Sequence, residues 1–426
     1  MRKIVCKSVN GLKGEIEIPS DKSISHRAVM LASLAKGKSI IRNFSKGQDP
    51  LSSLNICRQL GVDAEFSDGK LCISSSGKFV TPQKPLDCGN SGTTMRFMCG
   101  ILSGQNFNSV LIGDESLSKR PMKRVIEPLE LMGAKISSNL FKAPLRIKGK
   151  ILHSIDYSSK LASAQVKSCI LLAGLGCDGI TTYKEPYISR DHTERMLKLM
   201  GADIKIDNTS VSISKSQLEP VDIDICGDIS SAAFFIAAAL IVPNSQIILK
   251  NVGLNPTRTG IIEVVQKMGG NIEILDKKLV SGEDVGDIKI SYSQLSACTI
   301  DGEIIPKLID ELPVIAVLGT QAEGTTTVKD AQDLRNKESD RIKAIVTELK
   351  KLGADIEETV DGFIINGKTG LKGNCSVETY HDHRLAMSLY VAGLICEKAI
   401  EIDNFEWVNI SFPEFENLFD KLNQFF

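Results

Sequence analysis

The sequence is poor in several features that mark particular classes of protein. Its 426 residues include a single Trp, and only 5% of them are aromatic. No stretch reaches the roughly 18 uninterrupted apolar residues of a membrane-spanning helix, and the first residues lack the apolar run of a signal peptide. The absence of both apolar runs predicts no contact with a membrane and a location in the cytoplasm. No G-x-G-x-x-G follows a predicted strand, which argues against a dinucleotide-binding dehydrogenase.

The chain also lacks an excess of charge of either sign. It has 51 Lys and Arg residues and 52 Asp and Glu residues, which give a formal net charge of -1. Binding to nucleic acid or to anionic lipid depends on an excess of positive charge, so neither is an expected partner. Any basic site in this protein must be local.

The length and composition predict an ordinary globular protein of two domains. The chain is 42% hydrophobic and 24% charged, which is enough apolar surface to form large cores. Its 11 cysteines are odd in number, contain no C-x-x-C spacing and mostly fall in apolar segments, so we interpret them as reduced core residues. His381 and His383 have no neighbouring Cys or His cluster in the sequence, and we expect no metal site.

A short phrase ending in glycine recurs along the chain, as in ERMLKLMGADIKI and ELKKLGADIE. This pattern predicts a helix whose end is marked by a glycine in the left-handed conformation. Apolar and polar residues alternate after the glycine, which predicts a strand. The unit is therefore helix, turn and strand. The five glycines are Gly61, Gly133, Gly201, Gly269 and Gly353.

A second phrase, a nearly all-apolar helix entered through small or polar residues, recurs six times at spacings of about 65 to 80 residues. Helices that are apolar on all sides are buried, so we predict six copies of an α+β unit, three in each domain. The N-terminal strand KIVCKSVNGLKGEIEIP is expected to complete the last copy. A solenoid is the alternative, although its repeats are usually about 20 to 50 residues long. The six segments are SISHRAVMLASLA, GTTMRFMCGILSG, SAQVKSCILLAGLG, ISSAAFFIAAALIV, DELPVIAVLGTQAEG and DHRLAMSLYVAGLIC.

Charged and hydroxyl residues cluster where these six helices begin. A helix N-terminus offers unpaired N–H groups and the positive end of the helix dipole, and therefore favours an anion. Cations there oppose the dipole, so they are not explained by helix stability, and we expect a ligand with more than one anionic group. Ser230 and Ser231 are interpreted only as helix caps. The remaining cluster comprises Lys22, Ser23, Arg27, Asn90, Gly92, Thr93, Arg96, Ser163, Gln165, Lys167, Asp310, Glu311, Asp382, His383 and Arg384.

Two further segments are rich in cations. GDESLSKRPMKRV carries Arg120 in a predicted loop broken by Pro121. DLRNKESDRIKAI carries Lys337, Glu338 and Arg341 at helical spacings, which by themselves favour a solvated helix face with salt bridges over a binding site.

The ordered motifs PSDKSISHR, NSGTTMR, KRPM, SAQVK, SRDHTE, LIDELP, RNKESDR, DHRLAMS and SFPEF resemble the 5-enolpyruvylshikimate-3-phosphate synthase family, in its second sequence class. The resemblance covers nearly the whole chain. It implies an α/β (α+β) fold, a two-domain inverse α/β barrel of six βαβαββ units. The buried parallel helices would direct their N-termini at an interdomain cleft. One domain would comprise residues 1–20 and 228–426, the other residues 21–227, with a hinge near Ser20 and Gly227.

The resemblance also implies a reaction. The enolpyruvyl group of phosphoenolpyruvate would pass to the 5-hydroxyl of shikimate 3-phosphate, with release of phosphate, on the pathway to chorismate and aromatic amino acids. It implies no metal or organic cofactor and suggests a target of the inhibitor glyphosate. Gly92 is the position at which a larger residue would crowd that inhibitor. The near-neutral net charge permits a monomer, which is our expectation.

Site residues follow from the matching motifs. Asp310, Glu338 and Lys22 would carry the proton transfers, with Asp310 near the 5-hydroxyl and Glu338 near C3 of the enol. Shikimate 3-phosphate would contact Lys22, Ser23, Arg27, Ser163, Ala164, Gln165, Arg190, Asp310 and Lys337. Phosphoenolpyruvate would contact Lys22, Asn90, Gly92, Thr93, Arg120, Gln165, Glu338, Arg341 and Arg384.

One departure and two alternatives accompany this resemblance. Some members of the family carry a lysine directly before the segment S-F-P, whereas this chain has Ile410 there. The sister enolpyruvyl transferase that acts on UDP-N-acetylglucosamine usually carries a reactive cysteine in the loop corresponding to GDESLSKRPMKRV, which has none here. A non-catalytic anion-binding protein on the same fold is the second alternative, and the presence of Lys22, Asp310 and Glu338 speaks against it.

Overall fold

A computed structural model describes residues 2–423 of the chain, which form two compact units. The middle unit comprises Ser20–Ile225 with Leu279–Glu283. The terminal unit comprises the described residues up to Pro19, Cys226–Lys278 and the described residues from Asp284 onwards.

The helices and strands alternate along most of the chain. The helices are α1 (Lys22–Leu34), α2 (Gln48–Gln59), α3 (Gly92–Ser103), α4 (Glu115–Lys119), α5 (Lys123–Leu131), α6 (Ala164–Gly174), α7 (His192–Leu199), α8 (Ile229–Ile241), α9 (Gly260–Lys267), α10 (Ile305–Leu308), α11 (Leu312–Gln321), α12 (Arg341–Lys351), α13 (His383–Gly393) and α14 (Phe415–Asn423). Short 3-10 helices span Gly302–Ile304, Gln332–Asn336 and Phe405–Ile410. The strands are β1 (Ile4–Cys6), β2 (Lys13–Glu17), β3 (Lys36–Arg42), β4 (Asp63–Ser67), β5 (Lys70–Ser76), β6 (Leu86–Asp87), β7 (Asn108–Ile112), β8 (Lys135–Asn139), β9 (Lys142–Lys148), β10 (Asp156–Ser158), β11 (Ile180–Lys184), β12 (Ile204–Asp207), β13 (Ser210–Ser214), β14 (Ile223–Asp224), β15 (Gln246–Gly253), β16 (Asn271–Val280), β17 (Glu283–Ser291), β18 (Leu295–Ser296), β19 (Thr299–Ile300), β20 (Ala322–Val328), β21 (Asp355–Glu358), β22 (Phe363–Gly367), β23 (Ser376–Val377) and β24 (Ile400–Ile402).

Three sheets in the middle unit share one pattern of pairing. Their strand orders are β14-β3-β5-β4, β6-β7-β9-β8 and β10-β11-β13-β12. In each sheet the first two strands are parallel and the following pairs are antiparallel. A helix connects each parallel pair within the last two sheets, as parallel strands require.

The terminal unit repeats the parallel pair in its own three sheets. Strand β2 is parallel to β15, β18 and β19 are parallel to β20, and β23 is parallel to β24. The N-terminal segment contributes to two of these sheets, because β1 pairs with β24 in antiparallel fashion while β2 pairs with β15.

All six predicted apolar helices are present, as α1, α3, α6, α8, α11 and α13. Helix α8 shows their character most clearly, since every residue in it except Ser231 is buried. Such a helix has no solvent-facing side on which to place polar residues. Polar side chains with a chemical role are therefore confined to the helix ends.

The five glycines predicted to end helices all adopt the left-handed conformation. Their φ angles are +91° at Gly61, +92° at Gly133, +81° at Gly201, +80° at Gly269 and +94° at Gly353. Each follows a helix (α2, α5, α7, α9 and α12) and precedes a strand (β4, β8, β12, β16 and β21).

Two local predictions were wrong. The segment GDESLSKRPMKRV is not a loop, because α4 and α5 flank Pro121, which interrupts the helical hydrogen bonding between them. Lys337 and Glu338 do not lie on a helix face, since α12 begins only at Arg341. Asp340 caps that helix by accepting from the backbone N–H of Lys343 at 3.1 Å.

Within residues 2–423, no helix has the length and apolar character needed to cross a membrane. All 11 cysteines have free thiols, and eight of them are buried.

Replacing Gly201 by Ala tests the left-handed helix ends. A Cβ at Gly201 would meet only Cγ of Glu219, at 3.8 Å, so the cost arises from the backbone conformation and not from crowding. We expect Gly201→Ala to lower the free energy of unfolding by about 1–2 kcal/mol, measured by urea denaturation.

Gly176→Ala is the matched control. A Cβ at Gly176 meets nothing within 4 Å and its φ is not positive, so this variant should unfold at the same urea concentration as the original protein or slightly above it. Equal effects of the two substitutions would contradict a left-handed requirement at Gly201.

Candidate functional site

The N-terminus of α1 brings a lysine and a buried histidine together in the middle unit. Asp21 caps the helix by accepting from the backbone N–H of Ile24 at 2.8 Å. Nζ of Lys22 lies 3.2 Å from Oδ2 of Asp49, a carboxylate on α2. Burial lowers the pKa of the His26 imidazole well below its usual range, and Lys22 and Arg27 lower it further. The histidine is therefore neutral, and the positive charge here comes from lysine and arginine.

Arg27 is buried and held from three sides. Its Nε donates to Oγ1 of Thr193 at 2.7 Å, its Nη2 to Oγ of Ser168 at 3.1 Å and its Nη1 to the carbonyl of Ser23 at 2.9 Å. The guanidinium also lies 4.8 Å from the ring centroid of Phe97. These contacts fix the orientation of the cation before any ligand binds.

A second chain of polar contacts links the N-termini of α3 and α6. Nη1 of Arg96 donates to Oε1 of Gln165 at 2.6 Å, and Nε2 of Gln165 donates to Oγ1 of Thr93 at 3.0 Å. Gly92 begins α3 beside them. A Cβ there would lie 2.6 Å from Nη1 of Arg96 and 3.6 Å from Nη1 of Arg120, so the absence of a side chain lets the Arg96 guanidinium lie against the start of α3 with Arg120 nearby.

Arg120 is the C-cap of α4, and its side chain reaches the start of α3. Its Nη2 donates to Oδ1 of Asn90 at 2.7 Å, and the amide of Asn90 in turn donates to Oδ2 of Asp114 at 2.7 Å. Arg120, Asn90, Gly92 and Thr93 thus lie together although 30 residues separate Asn90 from Arg120.

The remaining predicted residues of the middle unit occupy two helix starts. Ser163 is the N-cap of α6 and makes no capping hydrogen bond through its side chain, and Ala164 and Gln165 form the first turn. Arg190 is half-buried two residues before α7.

Lys167 does not belong with the residues at the start of α6, although the sequence suggested that it did. Its Nζ is buried 2.9 Å from Oε1 of Glu185 and 2.7 Å from Oε1 of Glu194. Burial would lower the pKa of the Lys167 ammonium, but the two glutamates outweigh it and the pKa is raised. One turn along a helix is enough to direct a side chain away from the N-terminus, and sequence position does not reveal this.

In the terminal unit Arg341 is surrounded by carboxylates. The guanidinium is buried, and Asp382, Asp310 and Glu338 approach it at 2.7, 3.2 and 2.6 Å. Burial would lower the pKa of Arg341, but Asp382 and Glu338 raise it above its usual range, so the group stays charged. Lys337 also lies 3.5 Å from Oδ1 of Asp310. The solvated helix face favoured by spacing alone was therefore wrong.

Asp382 connects this group to Arg384. Its Oδ1 accepts from the backbone N–H of Arg384 at 2.9 Å and caps α13, while it also accepts from Arg341. The carboxylate is fully buried, so it can be stable only because these donors surround it.

Sequence reasoning missed a buried cluster beside Arg384. Ser230 was interpreted as a cap of α8, but Asp228 is the residue that caps the helix. The hydroxyl of Ser230 instead accepts from Nη2 of Arg258 at 2.7 Å and donates to Glu311, while its carbonyl accepts from Nη1 of Arg384 at 3.2 Å. The only feature of the sequence that could have indicated this cluster is Arg258, in the segment NPTRTG, which lies outside the repeated phrases.

Each unit therefore presents fixed cations and helix N-termini suited to anions, and the terminal unit adds two half-buried carboxylates, Asp310 and Glu338, as candidates for proton transfer. No group of three or more potential metal ligands occurs within residues 2–423. Ile410, the departure noted in the sequence, is buried at the end of a 3-10 helix.

Comparison with known proteins gives a consistent result. A family model described as EPSP synthase (3-phosphoshikimate 1-carboxyvinyltransferase) matches residues 6–419. The chain is 52% identical over 421 residues to 3-phosphoshikimate 1-carboxyvinyltransferase of Bacillus subtilis, with 98% of each chain covered. It is 52% identical over 429 residues to the protein of the same name from Thermodesulfovibrio yellowstonii, with 99% of each chain covered.

Solved structures agree. EPSP synthase from Acinetobacter baumannii is 39% identical, with a TM-score of 0.88 over 99% of this chain and 98% of that one. The enolpyruvyl transferase NikO from Streptomyces tendae is 17% identical with a TM-score of 0.81 over 99% of this chain and 97% of that one, which shows a shared fold alone.

Lys167→Met tests whether this lysine is structural. The substitution leaves Glu185 and Glu194 buried without their cation, so we expect a loss of about 3–5 kcal/mol in the free energy of unfolding without substrates. Adding Glu185→Gln and Glu194→Gln should recover part of that loss in a urea titration.

Lys215→Met is the control, because its ion pair with Asp178 is exposed and should contribute little. If Lys167→Met unfolded like the original protein and instead lost affinity for an anionic ligand, the lysine would belong to the binding site.

Proposed function

The chain belongs to the EPSP synthase family, and we propose that the fixed cations described above bind the two anionic substrates of its reaction. The protein transfers the enolpyruvyl group of phosphoenolpyruvate to shikimate 3-phosphate, in the shikimate pathway to aromatic amino acids. Each substrate carries a phosphate and a carboxylate, so four anionic groups must approach one another. Their mutual repulsion explains why the family's motifs are rich in arginine and lysine.

Shikimate 3-phosphate is proposed to bind Lys22, Ser23, Arg27, Ser163, Ala164, Gln165, Arg190, Asp310 and Lys337. The three fixed contacts of the Arg27 guanidinium support this proposal. A cation that is already oriented loses little conformational entropy when an anion binds. The start of α6 adds backbone N–H groups that suit a phosphate or carboxylate.

Phosphoenolpyruvate is proposed to bind Lys22, Asn90, Gly92, Thr93, Arg120, Gln165, Glu338, Arg341 and Arg384. The guanidinium groups of Arg96 and Arg120 beside Gly92 support this, because they place two cations next to the start of α3, where backbone N–H groups also favour an anion. The protein is also a proposed target of glyphosate, since a larger residue at position 92 would crowd that inhibitor. Asp382 accepts from the guanidinium of Arg341 and from the backbone N–H of Arg384, which brings the two residues together, and both arginines are proposed to bind one anion.

The geometry around Arg341 carries the catalytic proposal. Asp310 and Glu338 contact the same guanidinium, at 3.2 and 2.6 Å, so the two carboxylates are held near each other and near a charge that orients an anionic substrate. Asp310 removes the proton of the 5-hydroxyl as its oxygen adds to C2 of the enol. Glu338 gives a proton to C3 and takes one back as phosphate leaves, and Lys22 assists these transfers.

We also propose that the chain forms an inverse α/β barrel of six βαβαββ units, three in each half. The repeated pattern of strand pairing in the sheets supports this architecture. Residues 1–20 with 228–426 and residues 21–227 would form the two domains, with a hinge near Ser20 and Gly227. The near-zero net charge supports small anionic substrates over nucleic acid. A monomer and the cytoplasm remain our expectations.

Phosphate release from phosphoenolpyruvate tests the assignment of Lys22. With shikimate 3-phosphate as acceptor we expect release by the original protein, and a loss of about 10²–10⁴-fold in rate for Lys22→Met, since a proton-transfer group and a substrate contact are both removed. Lys38→Met, at an exposed lysine of the same unit, should leave the rate unchanged. Release that depended on UDP-N-acetylglucosamine instead would favour the sister reaction.

Asp310→Asn and Glu338→Gln separate the two carboxylates. Both should reduce kcat by about 10²–10⁴-fold. In D₂O the product formed slowly by Asp310→Asn should still carry deuterium at C3, measured by mass spectrometry, whereas Glu338→Gln should suppress that incorporation. Equal deuterium content in the two products would contradict these separate roles.

A further inference from the structure

The four residues before α13 form a turn that its central side chains disfavour. The backbone N–H of Asp382 donates to the carbonyl of Thr379 at 2.9 Å and closes the turn. The two central residues, Tyr380 and His381, have φ angles of +52° and +57°. Positive φ at both central positions is the pattern of a type I′ turn, which glycine, asparagine and aspartate favour. Tyrosine and histidine are strained in that conformation, so other contacts must stabilise it.

Both central side chains have such a contact. The hydroxyl of Tyr380 donates to Oε1 of Glu348 at 2.8 Å, and the ring of His381 stacks on the ring of Trp407 with 4.9 Å between the centroids. Desolvation, and next the hydrogen bond to Glu348, raise the pKa of the Tyr380 phenol, so it keeps its proton and remains a donor. The turn is therefore held through each of its two central residues.

Glu348 holds the same segment at a second point. Its carboxylate is fully buried in the last turn of α12, and Oε2 accepts from the backbone N–H of Glu378 at 3.0 Å. Nζ of Lys351 also lies 2.9 Å from Oε2. A buried carboxylate needs donors around it, and two of these three donors come from the residues that lead into α13.

Helix α12 also contacts the segment through its first residue. Nε of Arg341 donates to Oδ2 of Asp382 at 2.7 Å, and Oδ1 of Asp382 accepts from the backbone N–H of Arg384 at 2.9 Å. One helix thus holds the segment on both sides of His381, at Tyr380 through Glu348 and at Asp382 through Arg341. If the strained turn relaxed, Asp382 would move away from the two groups that it anchors.

We propose that Glu348 and Tyr380 are positioning residues for the phosphoenolpyruvate site. Their hydrogen bond holds the left-handed turn, and the turn sets the place of Asp382. Asp382 sets the orientation of Arg341 and the start of α13, where Arg384 lies. This inference rests on the proposed function, in which Arg341 and Arg384 bind phosphoenolpyruvate.

Tyr380→Phe tests the proposal, because it removes the hydroxyl and keeps the ring. We expect the KM for phosphoenolpyruvate to rise about tenfold, the effect of losing one hydrogen bond to a charged group, while the Kd for shikimate 3-phosphate alone stays within about twofold. Glu348→Gln should raise this KM at least as far, because its amide places an NH₂ group opposite one of the donors. The double variant should show less than the product of the two single effects, since both act through one hydrogen bond.

Trp407 supplies a local readout, because it is the only tryptophan in the sequence and its ring stacks on His381. Iodide should quench its fluorescence more strongly in Tyr380→Phe than in the original protein, since a released turn uncovers the ring. Urea denaturation of the same variant identifies any effect that arises from overall stability.

Tyr292→Phe is the matched control. Tyr292 belongs to the same unit and is 36% exposed, against 37% for Tyr380. Its hydroxyl makes no hydrogen bond to any group within residues 2–423, so this variant should keep both the original KM for phosphoenolpyruvate and the original quenching.

Four outcomes would overturn the inference. They are a KM for phosphoenolpyruvate within about twofold of the original in Tyr380→Phe, an equal rise in the Kd for shikimate 3-phosphate, a raised KM with unchanged quenching of Trp407, or fully multiplicative effects in the double variant. Arg384→Met separates the inference from its premise. If that variant kept its KM for phosphoenolpyruvate, the proposed role of Arg384 would fail; if its KM rose while that of Tyr380→Phe did not, only the positioning role would fail.

Discussion

A helix that is apolar on every face must be buried along its whole length, and this constraint decides where the protein can place its chemistry. Six such helices form the cores of the two units, and α8 leaves only Ser231 less than fully buried. Polar groups are excluded from their sides and remain at their ends. The ends have unpaired N–H groups and positive dipoles, so the packing requirement of the core also produces the groups that bind anions.

The cations at these ends create a second requirement, because a buried guanidinium needs fixed partners. Arg341 meets it with three carboxylates, and Arg27 meets it with two hydroxyls, a carbonyl and an aromatic face. Each partner restricts the geometry of the cation it stabilises. The same contacts that make buried charge tolerable therefore orient the groups that are proposed to bind substrate, and Lys167 shows that such a charge can also be wholly structural.

The sequence predicted the regular parts of this arrangement well. The six apolar helices and the five glycines with positive φ follow from hydrophobic periodicity and from the backbone freedom of glycine, both of which are local properties. Predictions that depended on local spacing alone did less well. Lys337 and Glu338 have helical spacing from Arg341, yet Asp340 starts the helix after them, and Pro121 separates two helices where a loop was expected.

The sequence by itself determined the six apolar helices, the five glycines that end helices, the places where charge gathers and, through its ordered motifs, the family. Only the tertiary structure decided which charges meet. Arg258 lies 28 residues from Ser230, Glu311 lies 81 residues from it and Arg384 lies 154 residues from it, and no local pattern links them. Hydrogen bonds and ion pairs act over a few ångströms in space, whereas periodicity acts over a few residues along the chain, so the partners of a buried charge become visible only when the chain is folded.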